Sequence, residues 1–380
     1  MIEREFQKTL LKRLQEKAPL LQMILGPRQV GKTTGAQWIF NRWKGPKFMV
    51  SADDPSPPGA DWIRVHWQEA LAQGPNTLLI FDEIQKVTGW SEVIKQLFDQ
   101  ERGRGRIKVA LMGSSSLFLQ KGLSESLTGR FELTEVPHWS FLECHQAFGW
   151  DLNTYMKWGA YPGAIPFKGD AVRWKHYILN SIVETVISKD IYQLNPVHKP
   201  ALFRQTFELA VRHPAHIISL QKMLGQLQDR GNATTIKGYL DLLQKSYLIR
   251  ALQKYSGSEI RIKDSSPKII VLNPALIHAY VPQTRLIKEP GWYGFVFESI
   301  MGAHLAMLPD TELFYWRDNN AEVDFVLRTP NDLFAIEIKS GFKDKHSGLA
   351  AFQKQYPKAR CQLWDYTRCC KFLEQGRFLS

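Results

Sequence analysis

The sequence predicts an α/β protein of several domains, whose N-terminal part is built on a buried parallel sheet. Two short apolar stretches, residues 20–25 and 78–81, are typical of strands buried on both faces, and each ends in a polar motif. Farther along, alternation of apolar and polar residues between positions 313 and 339 predicts a second sheet. The chain has 380 residues, and at about 150 residues per domain this length predicts two to four domains.

The composition excludes several classes of protein. Hydrophobic residues at 44% and charged residues at 23% can form a core, which excludes a disordered or fibrous chain. Four cysteines are too few for a disulfide scaffold, and no C-x-x-C pair indicates a zinc site, so the sequence favours a reducing compartment. The first residues show no signal peptide, and the most apolar window, 291–309, contains Glu298 and His304 and is too polar to span a bilayer. We therefore expect a soluble, cytoplasmic protein with no membrane partner.

The first motif follows the strand at residues 20–25 directly. It reads G-x-x-x-x-G-K-T, and residues 33–43 predict the helix that should follow it. Glycines at this spacing allow backbone N–H groups to surround a phosphate, and the helix offers its positive N-terminal end. The predicted phosphate-binding residues are Gly26, Pro27, Arg28, Gln29, Val30, Gly31, Lys32, Thr33 and Thr34. In this loop Lys32 would contact the β- and γ-phosphates and Thr33 would ligate Mg²⁺.

The second motif is a pair of acids at the end of the strand at residues 78–81. Asp82 would hold the Mg²⁺, and Glu83 would orient and activate the attacking water. Adjacent acids at a strand end are common on surfaces, but a preceding phosphate loop gives them a role. Hydrolysis of ATP with Mg²⁺ is the activity that the two motifs predict together.

Two further residues are weaker candidates. A third strand, residues 107–112, leads to Ser114, whose hydroxyl would contact the γ-phosphate or the lytic water, or would serve as a helix N-cap. Arg130 in the sequence Thr128-Gly129-Arg130 would act across a subunit interface as an arginine finger, or would pair with a surface carboxylate.

These segments together resemble a known family. Residues 26–34, 78–86, 111–116, 127–132 and 161–163 are similar to the bacterial and archaeal AAA+ family in which an ATPase module is fused to a C-terminal domain of unknown function with a restriction-endonuclease-like motif. The resemblance implies a P-loop ATPase of the ASCE type, with Glu83 as catalytic base and Arg130 in the family's glycine-arginine position. It extends to about residue 345 and indicates the fold better than the function.

The middle of the chain predicts two helical parts. Apolar residues spaced three and four apart from position 174 to 191 predict an amphipathic helix of a lid, ended by Asn195-Pro196. Near this helix end the family usually has arginine and aspartate, whereas here the pair is Lys189-Asp190, so a phosphate-contacting role for the position stays open. The predicted domains are an ATPase domain at 1–145, the lid at 146–200, a winged helix at 201–272 and a nuclease-like domain at 273–380.

A winged helix-turn-helix is predicted from a helix near residues 220–227, a glycine turn, and a second helix capped by Asn232. Residues 247–252 and 268–272 would be the strands of the wing. Thr234, Thr235 and Lys237 would lie on the exposed start of the second helix, where a DNA reader contacts bases or phosphates. The alternative is that the module serves only for packing.

The C-terminal part contains the pattern D…E-x-K, which is similar to the PD-(D/E)xK nuclease core. Asp324 lies on one predicted strand, Glu337 and Lys339 share a face of the next, and Glu298 on the preceding helix is an additional acid. Such carboxylates can bind Mg²⁺ against a scissile phosphate, and the lysine can assist. The alternatives are a binding platform without cleavage, or an ion pair between Glu337 and Lys339 on a solvated strand edge. After Asp365 we find no motif, and Cys369-Cys370 is interpreted as incidental.

The net charge favours a polyanionic partner. Lysine and arginine number 49 against 37 acids, which gives +12, and residues 201–270 hold eleven of the cations and five of the acids, half of the net charge. The leading hypothesis is ATP-driven action on duplex or branched DNA, such as branch migration, by a homo-oligomer such as a hexameric ring. A nucleotide-dependent switch or scaffold that recruits a protein partner is one alternative, and an ATP-dependent endonuclease is the other.

Overall fold

A computed structural model describes residues 2–17, 19–54, 56, 58–113, 127–192, 197–227, 232–256, 265–340 and 347–378. The chain divides into two compact units. The N-terminal unit comprises residues 1–138 and 185–195, and the C-terminal unit comprises residues 139–184 and 196–380. The chain therefore leaves the C-terminal unit for a short segment and then returns to it.

The N-terminal unit is built on a five-stranded parallel sheet. Its strands are β1 (Leu21–Leu25), β2 (Lys47–Ser51), β3 (Thr77–Asp82), β4 (Ile107–Gly113) and β5 (Phe131–Glu135). They lie in the order β2-β3-β4-β1-β5, with every neighbouring pair parallel. Every residue of β1, β3 and β4 is buried, as expected for the central strands of a parallel sheet. Because all strands run the same way, the ends of β1 and β3 lie on one edge of the sheet.

Helices cover this sheet. They are α1 (Glu5–Leu14), α2 (Lys32–Arg42), α3 (Ala60–Ala72) and α4 (Trp90–Glu101), with a short 3₁₀ turn at Ile84–Lys86. Trp67 of α3 is fully buried in the core beside Leu79 and Phe81 of β3. Close packing of α1 on α2 requires a glycine at position 35, because a Cβ there would lie 2.3 Å from the ring of Phe6.

The first part of the C-terminal unit is helical. Its elements are α5 (Phe141–Phe148), α6 (Leu152–Trp158), a 3₁₀ segment (Pro162–Phe167), α7 (Ala171–His176) and α8 (Pro200–Arg212). After α7 the chain continues in π-helical segments at Tyr177–Val183 and Val186–Tyr192. The predicted amphipathic helix is therefore present, but its turns are wide. The predicted stop at Asn195-Pro196 lies outside the described residues.

Two helices and a strand pair follow. These are α9 (Leu220–Gln226), α10 (Ala233–Lys245), and the antiparallel strands β6 (Ile249–Leu252) and β7 (Lys268–Val271). Asn232 caps α10, since its side-chain oxygen accepts a hydrogen bond from the N–H of Thr235 at 2.7 Å. The order of elements is the one predicted for this segment. The connecting turn at residues 229–231 lies outside the described residues.

A four-stranded mixed sheet forms the rest of the C-terminal unit. Three helices come first: α11 (Pro274–Tyr280), α12 (Arg285–Lys288) and α13 (Pro290–Leu305). The sheet contains β8 (Glu312–Asp318), β9 (Ala321–Arg328), β10 (Leu333–Ile338) and β11 (Arg360–Trp364), accompanied by α14 (Ser347–Gln355) and α15 (Tyr366–Gln375). The strand order is β11-β10-β9-β8, with β10 antiparallel to β9 and parallel to β11.

The predicted α/β class is confirmed: a parallel sheet follows the P-loop pattern, and a second sheet is present at the C-terminus. The helix predicted to carry Glu298 is present and extends from Pro290 to Leu305. The alternative of a solvated strand edge for Glu337 and Lys339 is wrong in one respect. Strand β10 is internal to its sheet and Glu337 is buried.

Among the described residues, no helix combines the length and the apolar character that a membrane crossing requires.

Candidate functional site

The glycine-rich loop between β1 and α2 is shaped for close backbone approach. A Cβ at position 26 would lie 2.1 Å from the carbonyl oxygen of Val136, so only glycine fits there. Gly31 has φ +91°, a left-handed conformation that glycine adopts without strain. The amine of Lys32 is turned into the loop and donates hydrogen bonds to the carbonyl oxygens of Gly26 at 2.9 Å and Pro27 at 2.7 Å. The loop thus holds a lysine ammonium at its centre.

The end of β3 lies beside this loop. The hydroxyl of Thr33 donates a hydrogen bond to Oδ2 of Asp82 at 3.0 Å, so the two predicted Mg²⁺ ligands contact each other. A hydroxyl and a carboxylate are suitable oxygen ligands for Mg²⁺. The next residue, Glu83, has φ +52°, an uncommon conformation for a non-glycine residue. The side-chain amide of Gln85 donates a hydrogen bond to Oε2 of Glu83.

Burial changes the pKa values of the charged groups in this site. It lowers the pKa of Lys32 to about 8, because the ammonium is removed from water. Burial also raises the pKa of Asp82 above its usual value. The pKa of Glu83 is raised by burial and by its neighbour Asp82, against the opposing effect of Arg28. A carboxylate with a raised pKa is a better proton acceptor, which suits a general base.

Two residues make contacts with the loop that sequence reasoning did not predict. Arg4 is buried, and its guanidinium donates hydrogen bonds to the carbonyl oxygens of Val30 at 2.9 Å and Pro137 at 3.1 Å. Asp190 is also buried and accepts two hydrogen bonds from Arg28, at 2.8 and 2.6 Å. The sequence marked Asp190 only as part of a charged pair, and no local pattern identifies Arg28 as its partner.

The two weaker candidates have different outcomes. Ser114 lies outside the described residues. Arg130 forms a bidentate ion pair with Asp99 of α4, at 2.7 and 2.9 Å, and donates a third hydrogen bond to the carbonyl oxygen of Thr128. Within one chain, Arg130 therefore contacts a carboxylate of its own surface.

The start of α10 lines a cavity of about 480 Å³ between α9, α10 and the strand pair β6–β7. Thr234 and Lys237 are exposed and contribute to its lining. The hydroxyl of Thr235 instead donates a hydrogen bond to Oδ1 of Asn232 at 2.9 Å, as part of the helix cap. Of the three predicted DNA contacts, two lie at an accessible surface and one is engaged in capping.

The C-terminal acidic residues are brought together, but around an unexpected lysine. Lys268 of β7 is fully buried, and its ammonium lies 2.5 Å from Oε1 of Glu298, 3.5 Å from Glu322 and 3.7 Å from Oδ1 of Asp324. It also donates a hydrogen bond to the carbonyl oxygen of Asp324 at 3.2 Å. Sequence reasoning counted Lys268 among the basic charges of the wing. That interpretation is wrong, because its charge is neutralised inside the protein.

The remaining two residues of the pattern form their own pair. The ammonium of Lys339 lies 2.5 Å from Oε1 of Glu337, and the N–H of Ile338 between them donates to Oδ2 of Asp324 at 2.7 Å. Burial, and then the nearby charge of Asp324, raise the pKa of Glu298 well above its usual value. Burial alone would lower the pKa of Lys268, but the carboxylates, Glu298 first, raise it above the usual value.

Three stretches of the sequence match family models of domains. Residues 19–145 match the family model described as an AAA domain. Residues 149–286 and 293–371 match two models described as domains of unknown function, DUF8612 and DUF4143. The class that the fold, the motifs and the first match define for residues 19–145 is an AAA-type P-loop ATPase domain.

Two relatives match over most of this chain and about three quarters of their own length. An uncharacterized protein of Mycobacterium tuberculosis is 26% identical over 349 residues, which cover 89% of this chain and 74% of the relative. An uncharacterized protein of Methanocaldococcus jannaschii is 22% identical over 362 residues, covering 88% of this chain and 78% of the relative. Among solved structures, a Walker-type ATPase of Pyrococcus abyssi is similar with a TM-score of 0.50 and 14% identity, over 74% of this chain and 96% of that one.

Proposed function

We propose that this protein hydrolyses ATP with Mg²⁺ in the loop between β1 and α2, and that hydrolysis drives action on DNA. The observation behind the ATPase proposal is the convergence of four side chains at one edge of the parallel sheet. They are Lys32, Thr33, Asp82 and Glu83. Phosphoryl transfer to water requires a phosphate-binding loop, a helix N-terminus, a hydroxyl and a carboxylate for the metal, and a group that accepts a proton from water. The loop, the start of α2, the pair of Thr33 and Asp82, and Glu83 would supply these parts.

Each of these residues has a defined part in the proposed reaction. Thr33 and Asp82 would hold Mg²⁺, which when bound would neutralise phosphate charge. Lys32 would exchange the carbonyl oxygens of Gly26 and Pro27 for phosphate oxygens, since an ammonium binds anionic oxygens more strongly than neutral ones. Glu83 would accept the proton of the attacking water at its carboxylate. Gln85 would keep that carboxylate in position through its amide.

Arg130 fits a role between subunits of a homo-oligomer, such as a hexameric ring. Its partner Asp99 is partly exposed, and an exposed ion pair adds little to stability because water competes for both charges. Exchange of this partner for a phosphate of a neighbouring subunit would therefore cost little. In this proposal Arg130 acts in trans as an arginine finger.

Action on DNA is supported by the surface around α10. Thr234 and Lys237 are exposed at the start of this helix, and Lys222 and Arg250 are exposed on α9 and β6. A helix N-terminus flanked by cations is a suitable surface for phosphates. Three cations of this region form ion pairs: Arg204 with Glu184, Arg212 with Glu208 and Lys245 with Asp241. The proposed DNA surface is centred on α10.

The decisive experiment is the ATPase rate of the purified full-length chain with single-stranded, duplex and junction DNA. We expect a basal rate that one of these DNA forms increases. Glu83→Gln is expected to bind ATP with nearly unchanged affinity but to lower kcat at least about a hundredfold, because the proton acceptor is lost. An unchanged rate with every DNA form, together with no DNA binding at low salt, would contradict the DNA proposal and leave the ATPase proposal intact.

A nucleotide-dependent switch is the second candidate, and the contact between Arg28 and Asp190 favours it. Arg28 belongs to the phosphate loop, and Asp190 belongs to the segment 185–195, which is joined at both ends to the chain of the C-terminal unit. Phosphate binding in the loop would change the surroundings of Arg28. The segment that holds Asp190 would then transmit the nucleotide state along the chain.

A further inference from the structure

The acidic cluster of the C-terminal unit contains an internal cation. Lys268 lies on β7, where its backbone is paired with Leu252 of β6 on one side and with Ile217 on the other. Its side chain is fully buried, so the ammonium has no contact with water. A buried ammonium is costly unless carboxylates or other acceptors surround it. The surroundings of Lys268 must therefore compensate its charge.

That compensation comes from the residues that a metal-dependent nuclease would use. The ammonium lies between Glu298 of α13 and Asp324 of β9, 2.5 Å from a carboxylate oxygen of the first and 3.2 Å from the backbone carbonyl oxygen of the second. A carboxylate oxygen of Glu322, which like Asp324 lies on β9, is 3.5 Å from the ammonium. The ring of Phe325 lies on a further side, 5.2 Å from the ammonium, which adds a cation–π contact.

We propose that Lys268 occupies the position that a divalent cation would take in a nuclease of this fold, so that the cluster of Glu298, Glu322 and Asp324 does not bind metal. Mg²⁺ requires oxygen ligands at about 2.0–2.1 Å in octahedral geometry, and the ammonium lies between the carboxylates of Glu298 and Asp324. A metal ion placed there would repel the ammonium of Lys268, which is fully buried. Across the part of the chain that the structure describes, no group of three or more His, Cys, Asp or Glu residues has an arrangement that could hold a metal ion.

The residues present therefore do not fit Mg²⁺ at this site, and no cleavage step can be derived from it. The cluster instead connects three elements, β7, α13 and β9, through one buried ionic contact. In this proposal the acids around Lys268 compensate a buried charge instead of holding a metal ion.

The test is a titration of the full-length chain with Mn²⁺ in the absence of nucleotide, monitored by electron paramagnetic resonance. At millimolar Mn²⁺ we expect the wild type to show no saturable binding that is lost in Asp324→Asn. Binding that persists in Asp324→Asn belongs to another part of the protein and agrees with the proposal. Saturable binding by the wild type that Asp324→Asn abolishes would overturn the proposal, whatever the behaviour of other variants.

A substitution of the lysine gives the complementary result. Lys268→Met keeps the length of the side chain but leaves the carboxylates without a cation, so we expect a lower midpoint of thermal unfolding that Mn²⁺ raises by several degrees. Lys108→Met is the matched control, because Lys108 is also buried on a strand but donates to the carbonyl oxygens of Glu16 and Lys17. The midpoint of thermal unfolding of Lys108→Met should be the same with and without Mn²⁺.

A second variant covers the case in which Lys268→Met does not fold. The double variant Lys268→Met with Glu298→Gln removes one cation and one anion together, and we expect it to fold and to show no response to Mn²⁺. A single variant Lys268→Met as stable as the wild type, with no response to Mn²⁺, would contradict the proposal.

Discussion

The ammonium of Lys32 illustrates how burial prepares a single residue for its task. The amine is held by two carbonyl oxygens of its own loop, and its removal from water lowers its pKa to about 8. An ordinary lysine is charged at every physiological pH. Lys32 is instead charged below pH 8 and loses its charge as the pH rises through that value.

This pKa predicts a pH dependence of ATP binding. Only the charged amine attracts phosphate oxygens, so the Kd for ATP should be constant below about pH 7 and rise above about pH 8, by at most tenfold per pH unit. Fluorescent-nucleotide titration across this range measures it. Lys32→Arg is the control, because a guanidinium stays charged and its variant should show a flat profile. A flat profile in the wild type would contradict the assignment.

Glu83 has an unusual backbone conformation. Its φ is +52°, so the chain does not continue as a strand at this residue, and the side-chain amide of Gln85 donates a hydrogen bond to its carboxylate. Such conformations are energetically unfavourable and cluster at functional sites. Sequence reasoning found Glu83 from its position after a buried strand, but it did not find Gln85, because a glutamine two residues on has no distinguishing pattern.

At the scale of elements, the π-helical segment Val186–Tyr192 contacts the phosphate loop, because its Asp190 accepts hydrogen bonds from Arg28. Spacing of apolar residues correctly predicted a helix here. The spacing did not predict that the helix has π-helical turns, or that its segment groups with the N-terminal unit. Both depend on packing against residues far away in the sequence.

The Arg28–Asp190 pair should be an energetically important contact of this segment. Asp190 is 2% exposed and Arg28 25% exposed, so replacing one partner leaves a poorly solvated charge. We expect Asp190→Asn to lower the free energy of unfolding by about 1–3 kcal/mol in urea titrations. Glu208→Gln, which breaks the exposed pair with Arg212 on α8, is the matched control and should cost about 0.5 kcal/mol or less.

Equal effects of the two substitutions would show that Asp190 has no special role. If the pair also reports the nucleotide state, the cost of Asp190→Asn should differ between protein with and without ADP and Mg²⁺. The cost of Glu208→Gln should be the same in both conditions.

At the scale of the whole molecule, the net charge of +12 is distributed less simply than the sequence indicates. Half of it falls in residues 201–270, but one of those cations is buried and three others form ion pairs. Arg230, Arg261 and Lys263 lie outside the described residues. Among the described residues near α10, Lys222, Lys237 and Arg250 are exposed.

This distribution predicts a salt-dependent interaction with DNA. Binding of duplex DNA should weaken as salt increases, and Lys237→Ala and Arg250→Ala should each reduce the slope of log K against log salt by about 1. Fluorescence anisotropy at several salt concentrations measures these slopes. Lys8→Ala, which removes an exposed lysine of α1, should leave the slope unchanged. An equally large reduction of this slope in Lys8→Ala would show that the protein attracts DNA only through its overall charge.

The sequence by itself determined the parts that depend on local spacing. The P-loop, the acids at the end of β3, the cap of α10 and the strand pattern of the C-terminal sheet are all readable within a few residues. Their chemistry requires neighbouring residues in the chain, and local sequence therefore records it.

Only the tertiary structure decided which distant residues meet. Arg4 contacts Val30, Asp190 contacts Arg28, and Lys268 enters a cluster of acids that lie 30 to 56 residues away in the chain. No periodicity predicts such pairs, because burial of charge is compensated in space and not along the sequence. For this reason a lysine assigned to a DNA-binding wing is instead the internal cation of the C-terminal unit.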